Sequence, residues 1–208
     1  FKKYKKFSLI NEYTVIFFCP SPAFVPDQQY IIEELINITS KRKDINLIIR
    51  LHPGQNIDFK NYLNLDNVYI DIPSNLYFAD IASISLDEDM NDKEFVNLLI
   101  NTNLTINCFS TTSLDSLYFN IPNISIAYNS KSNENEEISF YYSWKHYKDL
   151  LNFKSISIAH SNNELEKLID KYLLNKDHLS YERIKTMKVY SPINNGKSGY
   201  LISKEVFK

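Results

Sequence analysis

Three runs constrain this chain before anything else does: residues 13–19, 45–51 and 104–108 are short and almost continuously apolar, and two of them break abruptly into polar loops. A strand that is apolar on both sides of its pleat must be covered on both faces, which is the state of strands in a parallel sheet clothed by helices. Between the runs the pattern turns helical. Ile31, Ile32, Leu35, Ile36 and Ile38 share one face of a helix running to Ser40, with Asp27 as its N-cap. Shorter strands are expected at residues 68–72, 122–127 and 155–159, and a strand or irregular segment at 81–86. Further helices are expected at 93–101, 111–120, 143–151 and 162–174, then a mostly helical tail over 177–208 broken at Ser191 and Pro192. Strands alternating with helices over this length predict an α/β fold: a Rossmann-like, doubly wound parallel sheet with helices on both faces. The domain spans residues 13–208, behind a basic lead-in over 1–12 that carries Lys2, Lys3, Lys5 and Lys6.

Composition removes several functions. With 23 basic and 25 acidic side chains and a net charge of −2, the chain exerts no long-range pull on nucleic acid, and any membrane contact is at most peripheral. Only 3 glycines are present, which rules out glycine-rich phosphate loops. Gly196, Lys197 and Ser198 imitate the end of such a loop, but Ser191 stands where its first glycine should be, and no strand precedes it. Cys19 and Cys108 both end apolar runs and read as buried thiols. The acidic group Asp87, Glu88, Asp89 and Asp92 leads into a helix and suits its N-terminal dipole; its spacing is not that of a calcium loop. No metal site is expected. No stretch is apolar and long enough to cross a membrane, and the expected location is cytoplasmic. The chain begins at Phe1 and not at a methionine, so we expect a piece of a longer protein.

Two strand ends carry the candidate chemistry. The run Ser110, Thr111, Thr112 and Ser113 lies where a strand yields to a helix, so hydroxyls and unpaired backbone N–H groups converge on one point, a natural anion site. Capping alone is the plainer role for such residues, although four hydroxyls exceed what one cap needs. Asp115 follows in the first turn, placed either to accept from ribose hydroxyls or to offset the helix dipole. At the other strand end stand Arg50, His52 and Pro53; the proline forces an extended backbone and sets the imidazole at the sheet edge, where it can donate to a phosphate oxygen. If the two strands are neighbours, these groups face each other across a crevice at the carboxyl edge. Ser21, between Pro20 and Pro22, and His146 are secondary candidates. Trp144 reads as a core residue, His160 and Ser161 as a cap, and His178 as a surface residue. No nucleophile–base pair emerges, so the catalytic residues stay unassigned.

The order Arg50-x-His52-Pro53, then Ser110 through Asp115 to Leu117, then Asn120-Ile121-Pro122 resembles the C-terminal, donor-nucleotide half of GT-B glycosyltransferases. The nearest likeness is to bacterial surface-polysaccharide enzymes: sialyltransferase-like, Kdo-transferase-like and CDP-glycerol glycerophosphotransferase-like families. It covers about residues 13–175. The resemblance implies that His52 with Ser110, Thr111 and Thr112 grips the donor phosphate, and that Asp115 faces the ribose. The partners implied are a nucleotide-sugar or CDP-alditol donor, with CMP or CDP favoured, and a saccharide or lipid-linked acceptor. The catalytic base is expected on an N-terminal half, and neither a cofactor nor a metal is demanded. The family's usual glycine before the proline motif is Asn120, a residue that tolerates left-handed backbone. Two other functions fit the same pattern: a UDP-sugar 2-epimerase-like domain, and a non-enzymatic ligand-binding module of doubly wound fold.

Overall fold

The computed structural model of the protein describes residues 11–26, 28–52, 62, 65–73, 88–129, 138–192 and 196–206. Among the described residues fourteen elements follow in chain order: β1 (Tyr13–Phe18), α1 (Gln29–Ser40), β2 (Ile45–Arg50), β3 (Val68–Asp71), α2 (Glu88–Ile100), β4 (Leu104–Asn107), α3 (Thr112–Tyr118), β5 (Asn123–Ile126), α4 (Ile138–Tyr141), α5 (Lys145–Leu151), β6 (Ser157–Ala159), α6 (Asn162–Leu174), α7 (Ser180–Tyr190) and α8 (Ser198–Val206). The strand or irregular segment expected at 81–86 and residues 1–10 of the lead-in fall outside the described residues, as do Asp27 and Asp87.

The six strands form one sheet in the order β3-β2-β1-β4-β5-β6, and every neighbouring pair is parallel. The fold class read from the sequence is the one observed. One detail differs: β2 and β4 are not neighbours, because β1 lies between them. The chain leaves β1 in one direction and β4 in the other, so the point where strand order reverses is the β1–β4 junction. Right-handed crossovers of opposite direction put their helices on opposite faces. Accordingly Ile31, Ile32, Leu35 and Ile38 of α1 pack with Val15, Phe17, Leu47, Ile49, Leu104 and Ile106, together with Leu165 and Ile169 of α6. The reverse face holds Ile16, Phe18 and Ile48 against Leu98 and Leu99 of α2. Two ion pairs, Lys41–Glu166 at 2.8 Å and Arg42–Asp170 at 2.6 Å, join the residues just after α1 to α6. Such pairs add little stability, but they place the end of α1 beside α6.

The remaining differences are at element ends. Helix α2 begins at Glu88, five residues before the expected start, so Glu88, Asp89 and Asp92 lie within it. The single turn α4 was not visible in the sequence pattern. The tail breaks between α7 and α8, across Ser191 and Pro192, as expected. Asn120 has φ +56, the left-handed backbone that asparagine tolerates. Among the described residues no helix is long and apolar enough to cross a membrane.

Candidate functional site

Three loops leave the carboxyl edge from adjacent strands at the same height. Cys19 donates its N–H to the Arg50 carbonyl at 2.9 Å, and the pairing of Phe17 with Ile106 carries Cys19 level with Cys108. Both thiols are buried, and burial pushes each well above the ordinary cysteine range, so they form an inert floor. Above them stand His52 after β2, Ser21 after β1 and Ser110 after β4. The strand order puts two strand spacings, about 10 Å, between the β2 and β4 backbones. His52 and the hydroxyl run therefore suit two parts of one extended ligand better than a single phosphate.

The hydroxyl run divides in two. Ser110 Oγ accepts from the Thr112 N–H at 3.2 Å and from Thr112 Oγ1 at 3.0 Å, and neither bond uses the Ser110 proton. Thr111 is exposed, with its backbone already helical at φ −63 and ψ −17. Ser113 is different. It is fully buried, and its Oγ donates to Asn123 Oδ1 at 3.0 Å and accepts from Asn107 Nδ2 at 2.9 Å. Its place is in the interior and not on the loop surface where a phosphate was expected, because the helix turns it inward with Ser116 and Leu117. Helix α3 has only 7 residues, so local hydroxyls and N–H groups outweigh any helix field. Asp115 is on its exposed side, and partial desolvation raises its carboxyl pKa.

Arg50 is engaged elsewhere. Its guanidinium pairs with Asp71 and lies over the Phe95 ring, 4.8 Å from the centroid. Burial raises the Asp71 carboxyl even though the Arg50 charge opposes this. Arg50 thus braces the β2–β3 edge behind His52, which is half-buried; Pro53 lies outside the described residues. Ser21 is tied into its own turn, accepting from the Ala23 N–H at 3.4 Å and, through its carbonyl, from Phe24 and Val25. His146 is in the first turn of α5, and its side chain lies outside the described residues. His160 and Ser161 do form a cap: Ser161 Oγ accepts from the Glu164 N–H, and Glu164 Oε2 accepts from the His160 N–H. His178 is half-buried against Tyr172, with ring centroids 5.5 Å apart, and not a plain surface residue.

Three features escaped the sequence pattern. Gln28 is fully buried, and its Nε2 holds the β1 loop through the Pro20 and Val25 carbonyls at 3.2 and 3.1 Å. Its Oε1 finds no partner among the described residues. Trp144 is 38% exposed instead of buried in the core. It meets Phe24 and Tyr141 edge-on at 5.9 and 5.1 Å, while Tyr141 stacks on Phe109 at 4.4 Å, so rings from three distant segments gather beside the hydroxyl run. Nothing in local spacing announces such a cluster. Among the described residues no group of three or more His, Cys, Asp or Glu is placed to hold a metal.

No family model matches the sequence, and no curated protein matches it either. Solved structures do match in fold. The Spinosyn Rhamnosyltransferase SpnG complexed with thymidine diphosphate aligns with a TM-score of 0.52 and 13% identity, covering 85% of this chain and 40% of that one. The Wall Teichoic Acid Polymerase TagF, in a crystal soaked with CDPG, gives 0.56 and 15%, covering 94% and 40%. A putative UDP-N-acetylglucosamine 2-epimerase from Listeria monocytogenes gives 0.53 and 11%, covering 83% and 39%. The chain thus spans about two fifths of the structures it matches. Its fold is that of a Rossmann-like half-domain of GT-B glycosyltransferase-type enzymes.

Proposed function

We propose that the chain is the donor-binding half of a bacterial glycosyltransferase or glycerophosphotransferase that uses a nucleotide-activated donor, with a CMP- or CDP-linked donor favoured. The observation that carries this is the sheet reversal at β1–β4, with Ser21, His52 and the Ser110–Thr112 hydroxyls on the three loops around it. Open α/β sheets bind ligands at that crevice. The thymidine diphosphate in one matched structure and the CDPG soaked into another support a nucleotide. On this reading Ser110, Thr111 and Thr112 bond one phosphate, His52 reaches the far end of the diphosphate or its sugar, and Asp115 accepts from ribose. The acceptor is a saccharide or lipid-linked glycan in capsule, lipopolysaccharide or wall polysaccharide synthesis. The other half of the enzyme supplies the base, and the protein works in the cytoplasm or at the inner face of the membrane. Orientation and electrostatics do the catalytic work, and hydroxyls with an imidazole meet the leaving phosphate without a metal.

The epimerase match favours a second reading, a UDP-sugar 2-epimerase domain, which binds UDP in preference to cytidine nucleotides. A thermal-shift panel of CMP, CDP, UDP, dTDP and GDP separates the two. Ligand at 100 times its Kd adds about 2.7 kcal/mol, roughly 5–10 °C for a chain of this size. We expect a cytidine-selective shift, insensitive to EDTA and reduced by at least half in His52→Ala. An equal shift in His52→Ala removes His52 from the site, and a UDP-selective shift favours the epimerase.

A further inference from the structure

The β4–β5 ladder stops early, and a side chain from outside the sheet stands in the gap. The two strands pair Thr105 with Asn123, Ile106 with Ile124 and Asn107 with Ser125. In this register a β4 amide bonds the carbonyl one residue before its partner, as Thr105 N–H does with Pro122 at 3.0 Å. Two rungs further on, the same rule predicts a bond from Phe109 N–H to the Ile126 carbonyl. Instead Phe109 N–H donates to the Tyr142 hydroxyl at 3.1 Å, and that hydroxyl donates to the Ile126 carbonyl at 2.6 Å. One phenol oxygen replaces one rung and holds the strands apart.

We propose that Tyr142 is the positioning residue of the hydroxyl loop: its wedge in the β4–β5 ladder sets the backbone course that presents Ser110, Thr111 and Thr112. The functional half of this statement rests on the donor-site reading above. Phe109, the residue whose amide the wedge holds, has φ +35, a left-handed backbone that a phenylalanine adopts only under constraint. The next residue is Ser110. The wedge itself has no freedom to swing: Tyr142 is 8% exposed and packs edge-on to Tyr147 at 4.9 Å and to Phe109 at 6.1 Å. Burial raises its phenol far above the ordinary range, so the group stays protonated and keeps donating to Ile126 at any physiological pH. The neighbouring Tyr141 ring covers Phe109 from outside at 4.4 Å. Tyr141 and Tyr142 therefore hold the strand-to-helix turn by side chain and by backbone. With the phenol oxygen gone, the Phe109 N–H and the Ile126 carbonyl both lose their partner, and the turn is no longer held.

The test compares the 208-residue chain with Tyr142→Phe, free of ligand, by amide hydrogen exchange and 15N–1H spectra. We expect exchange of the Phe109 amide to quicken at least tenfold and the amides of residues 109–113 to shift. Affinity for the nucleoside diphosphate that wild type binds, and for inorganic pyrophosphate, should fall about tenfold. The control Thr105→Val removes a buried hydroxyl from the same strand pair without touching Phe109 or Ile126. It should lower the melting temperature and leave affinity alone. Unchanged amides in Tyr142→Phe, or an equal affinity loss in Thr105→Val, overturns the proposal. If Tyr142→Phe folds poorly, wild type still decides: its Phe109 amide must be as protected as the ladder amides of Thr105 and Asn107, and fast exchange refutes the wedge. Should wild type bind neither nucleotide nor pyrophosphate, the donor reading fails while the exchange result still judges Tyr142.

Discussion

Asn107→Leu is expected to lower stability by about 3 kcal/mol and the melting temperature by roughly 6–12 °C, and to weaken any ligand held by Thr112. Asn107 is fully buried at the end of β4. Its Nδ2 donates to Thr112 Oγ1 at 3.1 Å and Ser113 Oγ at 2.9 Å, and its Oδ1 accepts from Ser125 Oγ at 2.7 Å. The protons of Ser113 and Ser125 are thus committed to Asn123 and Asn107, so Tyr147, 3.0 and 2.7 Å from the two oxygens, acts as the donor between them. A leucine of similar volume fills the space but leaves Ser125 and Ser113 short of partners in a dry interior, where each loss costs about 1–3 kcal/mol. Urea denaturation measures the effect. A change below about 1 kcal/mol would mean that water reaches the network and that its bonds are replaceable.

Arg183→Met should cost a similar amount, about 3 kcal/mol, for a different reason. This guanidinium is 1% exposed on α7 and has carbonyl-type partners: Nε donates to Asn120 Oδ1 at 2.9 Å, and the two terminal nitrogens to the His178 carbonyl at 2.6 Å and the Lys176 carbonyl at 2.9 Å. It fastens α7 to the end of α3, opposite the hydroxyl run. The fork geometry matters more than the charge, so Arg183→Lys should recover less than half of the loss. Full recovery by lysine, read from melting curves, would show that a point charge suffices.

The strands that were legible are those whose surroundings are uniform. Residues in β1 and β2 are apolar on both sides because both sides are covered, and α1 and α6 show their buried faces as spaced Ile and Leu. Strands β4 and β5 are harder, since Thr105, Asn107, Asn123 and Ser125 face a buried polar layer that composition reads as surface. Strand order was not legible: nothing in β2 or β4 records that β1 would come between them, and so the distance from His52 to Ser110 was underestimated. Ser113 could have been found. It begins the i, i+3, i+4 series with Ser116 and Leu117, which turns one hydroxyl of the run inward. Arg183 could not, because an arginine among the lysines of α7 looks solvated until the Asn120 turn closes over it. The aromatic group of Phe24, Phe109, Tyr141 and Trp144 comes from three segments far apart in the chain and has no local period.

The most direct measurement is a 15N–1H titration of the chain with CDP and, separately, UDP. Binding at the sheet reversal should move the amides of Ser21, His52, Ser110, Thr111 and Thr112 first, with α7 and α8 silent. Perturbations confined to α7 and α8, or none at millimolar nucleotide, would contradict a donor site at the β1–β4 junction.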